Sequence, residues 1–183
     1  NQFLCSTTKL YNTVFSGYLS ATHTDYKGKI YCCDYNAFNQ SYGTVSVENP
    51  SLNTLTVLSS VSLSKDLSCD ANGNLITVRA SDGSVHFWGM KIPYAQHIQL
   101  GTLTNAKRVA VDKITNKVYV LLSDGSPQVY DWGTNAWYNL SHPIPGSDIC
   151  AYNNDVFIIS TGRVYKAQTA FPLSGYFTRV YPQ

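Results

Sequence analysis

The sequence is poor in charged residues and contains almost no glutamate. Only 13% of its 183 residues are Asp, Glu, Lys or Arg, and Glu48 is the single glutamate. Helix-rich proteins use glutamate freely, so this composition argues against a helical fold. Coiled coils and disordered tails are both rich in charge, and the sequence therefore excludes them as well.

The charge balance and the short apolar runs exclude two classes of partner. The 13 Lys and Arg residues against 11 acids leave a formal net charge of +2, with no block of like charge. Binding to a nucleic-acid backbone needs a clustered basic face. The longest apolar runs are five or six residues, far short of the roughly 20 that a membrane-spanning helix needs. We therefore expect neither nucleic-acid binding nor membrane insertion.

What the sequence does contain is a repeated hairpin pattern. Three segments share it: residues 73–88, 116–132 and 154–166. Each is a short apolar strand, a turn with Asp-Gly or Thr-Gly, and a second strand with an aromatic residue. Glycine supplies the positive φ that tight hairpin loops require. Leu75, Val118 and Val156 occupy equivalent places, 43 and 38 residues apart, a period typical of β-propeller blades.

Further short strands complete each repeat. Residues 28–47 form the same unit with a longer loop, each unit is preceded by one short strand, and three are followed by a fourth. Four antiparallel strands, repeated, make a propeller blade. The pattern therefore predicts an all-β protein, a β-propeller that forms a single domain over residues 1–183.

The two ends of the chain bear on the number of blades. Residues 3–11 match residues 157–165 position by position, and residues 174–178 match residues 16–20. The chain would then open on the second and third strands of a blade and end with its first strand, so that both termini close the ring. This predicts five blades. Two alternatives stay open: four complete blades from Tyr18 to Tyr181, with residues 1–15 left over, and a fragment of a larger propeller.

The repeats resemble known propeller families. Residues 108–120 resemble the blades of NHL and YncE-type propellers, and residues 129–140 resemble a kelch repeat, although the kelch double glycine is replaced by residues 158–161. The size is similar to that of five-bladed, tachylectin-like lectins. These resemblances imply a propeller; because propellers host hydrolases, lectins, adhesins and scaffolds, they do not imply one function.

Residues able to catalyse a reaction are few and scattered. Asp82 and Asp124 lie in Asp-Gly turns, and Asp70 and Asp112 close first strands, positions that turn chemistry explains. The four histidines show no metal-ligand spacing, and no nucleophile motif is present. We expect no enzyme, no cofactor and no metal site. Asp70 and Asp112 stay candidates for ligand contact because first-strand ends lie near a propeller's channel mouth.

Binding of a ligand, rather than catalysis, is the function class that fits the aromatic, amide and hydroxyl side chains of the sequence. Aromatic rings stack on sugar rings, and amides and acids bind hydroxyl groups. The candidate ligand-binding residues are Trp88, Trp132, Trp137, Tyr138, Tyr94, Asp70 and Asp112. The aromatic ones could instead pack between blades.

The sequence therefore predicts a lectin-like or adhesin-like module that binds a glycan or glycoprotein. Two glycosylation sequons, residues 39–41 and 139–141, favour an extracellular or secreted setting. The main alternative is a protein-interaction propeller that acts as a scaffold or subunit of a larger assembly. A small propeller hydrolase is a weaker alternative.

Overall fold

The described part of the chain consists of antiparallel β-sheets. The computed structural model describes residues 18–24, 30–36, 41–49, 54–58, 61, 63–89, 97–141, 144–168 and 178–181. Sixteen strands and no helix occur in these ranges. The all-β prediction is confirmed. In the same ranges, no helix is long and apolar enough to cross a membrane.

The strands form four sheets of four, each in chain order and each antiparallel throughout. The first sheet comprises β1 (Tyr18–Thr24), β2 (Ile30–Asn36), β3 (Ser41–Asn49) and β4 (Thr54–Val57). The second comprises β5 (Ser64–Cys69), β6 (Leu75–Arg79), β7 (Val85–Trp88) and β8 (His97–Gln99). The third comprises β9 (Ala106–Val111), β10 (Val118–Leu122), β11 (Pro127–Asp131) and β12 (Ala136–Asn139). The fourth comprises β13 (Asp148–Tyr152), β14 (Asp155–Ser160), β15 (Arg163–Gln168) and β16 (Thr178–Tyr181).

The sheets pack face to face in series, with a hydrophobic cluster at each junction. Strand β10 shows how one strand contributes side chains to two of these clusters. Val118, Val120 and Leu122 point into the cluster shared with the second sheet, whereas Tyr119 and Leu121 point into the cluster shared with the fourth. Successive side chains of a strand face opposite sides, so an unbroken apolar strand can be buried on both faces.

The first strands of the sheets contact one another in the order β1, β5, β9, β13. Between β5 and β9 the link is made by side chains. The backbone N–H of Val109 donates to the Asp66 carboxylate at 2.8 Å, and that of Val111 donates to Ser68 Oγ at 3.2 Å. Sheets of four strands whose first strands lie side by side form a propeller-like arrangement.

The repeated Asp-Gly turns also join the sheets. Gly83 and Gly125 have φ of +71° and +86°, and a Cβ on either would lie 2.6–2.7 Å from backbone atoms of the chain entering the next sheet. At this approach the backbone N–H of Ala106 donates to Gly83 O, and that of Gly146 donates to Gly125 O. The glycine is therefore required for the packing as well as for the turn.

The strand pairing bears on the expected fifth blade. The four sheets run from Tyr18 to Tyr181, the bounds of the four-bladed alternative. The C-terminal strand β16 pairs with β15 as the fourth strand of its own sheet, which is not the first-strand role that closure by both termini requires. Antiparallel pairing with the preceding strand is the usual outcome for consecutive strands. The other part of the expected fifth blade, residues 1–15, lies outside the described residues.

Candidate functional site

A groove lies at the junction between the second and third sheets; we call it the junction groove. Its volume is about 590 Å³, and it is lined by residues 101–105, Gln128 and residues 135–137. Residues 101–105 connect β8 to β9, Gln128 lies on β11, and residues 135–137 lead into β12. The volume falls in the range of roughly 300–1,000 Å³ that is usual for small-molecule sites.

Trp137 is fixed in the wall of this groove by contacts to the end of the second sheet and to its own sheet. Its indole Nε1 donates a hydrogen bond to Leu100 O at 2.7 Å, and the ring packs against Tyr130 at 5.1 Å between centroids. A Cβ on Gly101 would lie 3.0 Å from Trp137 Cδ1. Glycine therefore lets the chain pass close to the edge of the indole.

The turn before β12 holds Asn135 at the groove. Asn135 has a positive φ of 54°, a conformation that asparagine tolerates better than most residues. The hydroxyl of Tyr130 donates a hydrogen bond to Asn135 Oδ1. Burial, and then the charge of Asp131, raise the pKa of Tyr130, which further favours the protonated hydroxyl that donates this hydrogen bond.

The other side chains of the groove are uncharged: Leu103 and Ala136 are apolar, and the rest are polar. Thr102 and Thr104 provide hydroxyl groups, and Asn105, Gln128 and Asn135 provide amides. None of the described lining residues is an acid, a base or a histidine. The groove can therefore bind a ligand by stacking and by neutral hydrogen bonds, without ion pairing.

Of the candidate residues that the structure describes, only Trp137 lines the groove. Trp88 is buried, with 5% of its surface exposed, in the cluster between the first and second sheets. Its Nε1 donates to Thr77 Oγ1 at 3.0 Å, and its ring stacks on His97 at 3.8 Å. This placement matches the alternative that the aromatic residues pack between blades.

Trp132 and Tyr138 are exposed at 45% and 38%, but they lie outside the groove lining. The Nε1 of Trp132 donates to Asn116 O, and its ring meets Phe87 and Tyr130 edge to face. Tyr94 lies outside the described residues.

Asp70 and Asp112 are buried and engaged by the protein itself. Asp70 accepts hydrogen bonds from the backbone N–H groups of Asn72 and Asn74 and from the Asn74 amide, each at 2.8 Å. Asp112 accepts hydrogen bonds from the turn that follows it and from the backbone N–H groups of Asn153 and Asn154 in the fourth sheet. These contacts give both carboxylates a role in the turns and, for Asp112, in joining two sheets.

A hydrogen-bonded chain of four side chains was not foreseen from the sequence. Ser84 Oγ donates to Asp82 Oδ1 at 2.7 Å, so His86 Nε2 must donate to Ser84 Oγ at 2.8 Å. His86 Nδ1 is then the acceptor for His97 Nε2 at 2.9 Å. Burial, followed by the charges of Arg79 and His97, lowers the pKa of His86 to about 4.

The hydrogen-bonded series from Asp82 to His97 resembles a nucleophile–base pair only superficially. Ser84 and His86 are each 1% exposed, and the hydroxyl hydrogen of Ser84 is directed at Asp82. A nucleophile needs access to its substrate and a base free to take its proton. Among the described residues, no group of three or more His, Cys, Asp or Glu side chains could hold a metal ion.

Together, the strand order and the junction groove describe an all-β, propeller-like protein with a small neutral cleft between two sheets. No protein-family model matches the chain, and no curated protein matches it.

Solved structures are similar to it in fold. One is a chain of the crystal structure of a nidogen–laminin complex, with a TM-score of 0.60, 9% identity, and coverage of 84% of this chain and 76% of that one. Another is an auxiliary nutrient binding protein from Bacteroides thetaiotaomicron VPI-5482, with a TM-score of 0.66, 10% identity, and coverage of 91% of this chain. This chain spans only 43% of that second protein. At such identities the likeness concerns the fold alone.

Proposed function

We propose that the chain is a non-enzymatic recognition module whose junction groove binds carbohydrate, either free or as the glycan of a glycoprotein. The observation that carries this proposal is the composition of the groove: one fixed indole, two threonine hydroxyls and three amides, with no charged residue in the described lining. One similar solved structure is named a nutrient binding protein and the other a protein complex, and both names favour binding over catalysis.

The chemistry of sugars matches this lining. A pyranose has hydroxyl groups that both donate and accept hydrogen bonds, which the side chains of Thr102, Thr104 and Asn135 can complement. Its apolar C–H faces pack on indole rings. The fixed Trp137 offers such a surface without a further entropic cost of ordering the side chain on binding.

The test is a glycan array followed by titration of the sugars that bind. We expect Trp137→Ala to abolish binding and Trp132→Ala, which changes an indole outside the groove, to leave it unchanged. A thermal melt of each variant separates loss of the site from loss of the fold. Equal glycan binding by the wild type and a folded Trp137→Ala would contradict the proposal.

A protein partner is the second candidate, and a different surface favours it. Ile114, Trp132 and Tyr152 are exposed at 55%, 45% and 65%. Asp112 accepts from the backbone N–H groups of Ile114 and Asn153, and Trp132 Nε1 donates to Asn116 O, so the three side chains lie at one end of the sheets. Exposed aromatic residues are typical hot spots of protein interfaces. Loss of a partner on Trp132→Ala, with no glycan bound by the wild type, would support this candidate.

We further propose that the ring has four blades and that the protein works in an extracellular setting. The pairing of β16 with β15 supports four blades. A variant lacking residues 1–15 should then unfold as cooperatively as the full chain, whereas a five-bladed ring would lose part of a blade and with it the cooperative transition.

A further inference from the structure

The sequon that begins at Asn139 lies at the end of an outer strand, with both of its defining side chains exposed. Asn139 is the last residue of β12, and Ser141 follows two residues later. Leu140, between them, is only 5% exposed and belongs to the cluster shared with the fourth sheet. Successive residues of an extended chain face opposite sides. The amide and the hydroxyl group that define a glycosylation acceptor are therefore both presented to solvent.

The amide of Asn139 is held by its oxygen atom. Gln128 Nε2 donates a hydrogen bond to Asn139 Oδ1 at 2.6 Å, and the two residues are direct partners in the register of β11 and β12. An N-linked glycan is attached at the amide nitrogen Nδ2, so this hydrogen bond does not use the atom that would react. The glycosylated amide keeps its oxygen, and the contact with Gln128 can persist.

The backbone of Asn139 lies on an open edge of the third sheet. β12 is the last strand in the order β12-β11-β10-β9, and within the described ranges no strand pairs with its other side. The N–H of Leu140 donates to Pro127 O at 2.9 Å, which makes these two residues a hydrogen-bonded pair. Such pairs alternate with non-hydrogen-bonded pairs along antiparallel strands. The N–H and C=O groups of Asn139 therefore point away from β11, towards the edge.

An open edge of this kind is a template for pairing with a strand of another molecule. Proteins protect such edges with charged residues, with proline, or by covering them. β12 is four residues long and carries neither a charged residue nor a proline. A bulky hydrophilic group attached to Asn139 would occupy the space that an added strand needs.

We propose that Asn139 is a site of N-linked glycosylation and that its glycan shields the open edge of β12. This inference rests on the extracellular setting proposed above. It does not depend on sugar binding by the junction groove, because Asn139 lies outside the groove lining.

The modification is a group transfer from an oligosaccharide that is linked to a lipid through a diphosphate. Asn139 Nδ2 forms a bond to C1 of the first sugar, and the bond between C1 and the diphosphate oxygen breaks. The lipid diphosphate leaves with the electron pair of that bond, and Nδ2 gives up one of its two protons.

The first experiment tests the modification itself. The full chain is secreted from eukaryotic cells behind a cleavable signal peptide and analysed by peptide mass spectrometry, before and after an enzyme that releases N-linked glycans and converts the carrier Asn to Asp. We expect a glycan at Asn139 in the wild type. Asn139→Gln and Ser141→Ala should lose it completely, whereas Ser141→Thr, which keeps the hydroxyl group, should retain it. Asn39→Gln removes the other sequon and is the matched control, in which the glycan at Asn139 should be unchanged.

The second experiment tests the shielding. Sedimentation and light scattering measure self-association of the secreted proteins, and a thermal melt shows that each is folded. Ser141→Ala lacks the glycan but keeps the Asn139 side chain, and it should associate at concentrations at which the glycosylated wild type is monomeric. Asn139→Lys also lacks the glycan, but a lysine on an edge strand opposes pairing. This variant should therefore remain as monomeric as the wild type.

The outcomes separate this inference from the other proposals. If the secreted, folded wild type carries no glycan at Asn139, the inference is wrong and sugar binding by the groove is unaffected. If Ser141→Ala associates no more than the wild type, or if Asn139→Lys associates as much as Ser141→Ala, the shielding is refuted. If the chain is found in the cytosol of the cells that naturally produce it, the extracellular setting fails and this inference with it. Ser141→Ala should bind sugars as the wild type does, so Trp137→Ala tests the groove independently.

Discussion

The carboxylate of Asp112, at the end of β9, accepts a hydrogen bond from the backbone N–H of Asn154, 2.7 Å away in the fourth sheet. Asp112 is fully buried, and its other oxygen accepts from Asn153 at 3.0 Å. Burial alone would raise the pKa of this carboxyl group, but these hydrogen bonds and those from Thr115 and Ile114 lower it. A single side chain thus ends one strand and binds the turn of the next sheet.

Removing this carboxylate should destabilise the protein severely. We expect Asp112→Ala to lower the free energy of unfolding by about 3 kcal/mol, because the hydrogen bonds that this buried carboxylate accepts from its own turn and from the turn of the fourth sheet are all lost. Asp124→Ala is the control, since Asp124 is exposed and its carboxylate accepts from Ser126 N. Urea denaturation measures both, and comparable losses for the two variants would contradict a role for Asp112 in joining the sheets.

The buried His86 should make the protein less stable in mild acid. Its pKa is about 4 in the folded state against an ordinary 6.5, so the unfolded chain binds the proton more tightly. The contribution of His86 is complete above pH 6.5 and decreases as the pH falls towards 4, by an amount on the order of 3 kcal/mol. His86→Gln should flatten this part of the curve of unfolding free energy against pH. An unchanged acid slope in that variant would show that another group is responsible.

Asp66 should give the free energy of unfolding the opposite dependence on pH, lowering it as the pH rises. Burial raises its pKa to about 6, although the hydrogen bond from Val109 and the charge of Arg108 oppose this. Because the folded state binds the proton more tightly than the unfolded chain, stability decreases as the pH rises from about 4 to 6. Asp66→Asn keeps an oxygen for the N–H of Val109 and removes the charge. It should be more stable than the wild type at pH 7, by about 1–3 kcal/mol, and similar to it at pH 3; a variant less stable at pH 7 would refute this.

Two glycines with positive φ should differ sharply in their tolerance of a methyl group. At Gly83 a Cβ would lie 2.7 Å from backbone atoms of Asn105 and Ala106, whereas at Gly162, with a φ of +72°, it would meet no atom within 4 Å. Gly162→Ala should therefore cost only the backbone strain of about 1 kcal/mol, and Gly83→Ala considerably more. Thermal unfolding of the two variants gives the comparison. Equal melting temperatures would mean that the second and third sheets do not approach at Gly83.

Local sequence signals were sufficient for the strands and turns but not for the candidate site. The repeats placed β6, β10 and β14 and the turns between strands correctly, because alternation and glycine act over a few residues. Trp88 and Trp132 follow very similar hairpin sequences, yet the first is buried and the second exposed. That difference depends on which residues of the neighbouring sheet cover each ring.

The sequence by itself determined that this protein is built of β-hairpins. It contains the Asp-Gly turns that connect the strands, and strands that are apolar on both faces and can therefore be buried between two sheets. The tertiary structure decided that β16 pairs with β15, that Trp137 meets Leu100, and that Gln128 borders a neutral groove. Trp137 and Leu100 are 37 residues apart in the chain. Such contacts arise only when whole sheets pack, because side-chain periodicity reports which face of a strand is apolar and not which residue lies opposite it.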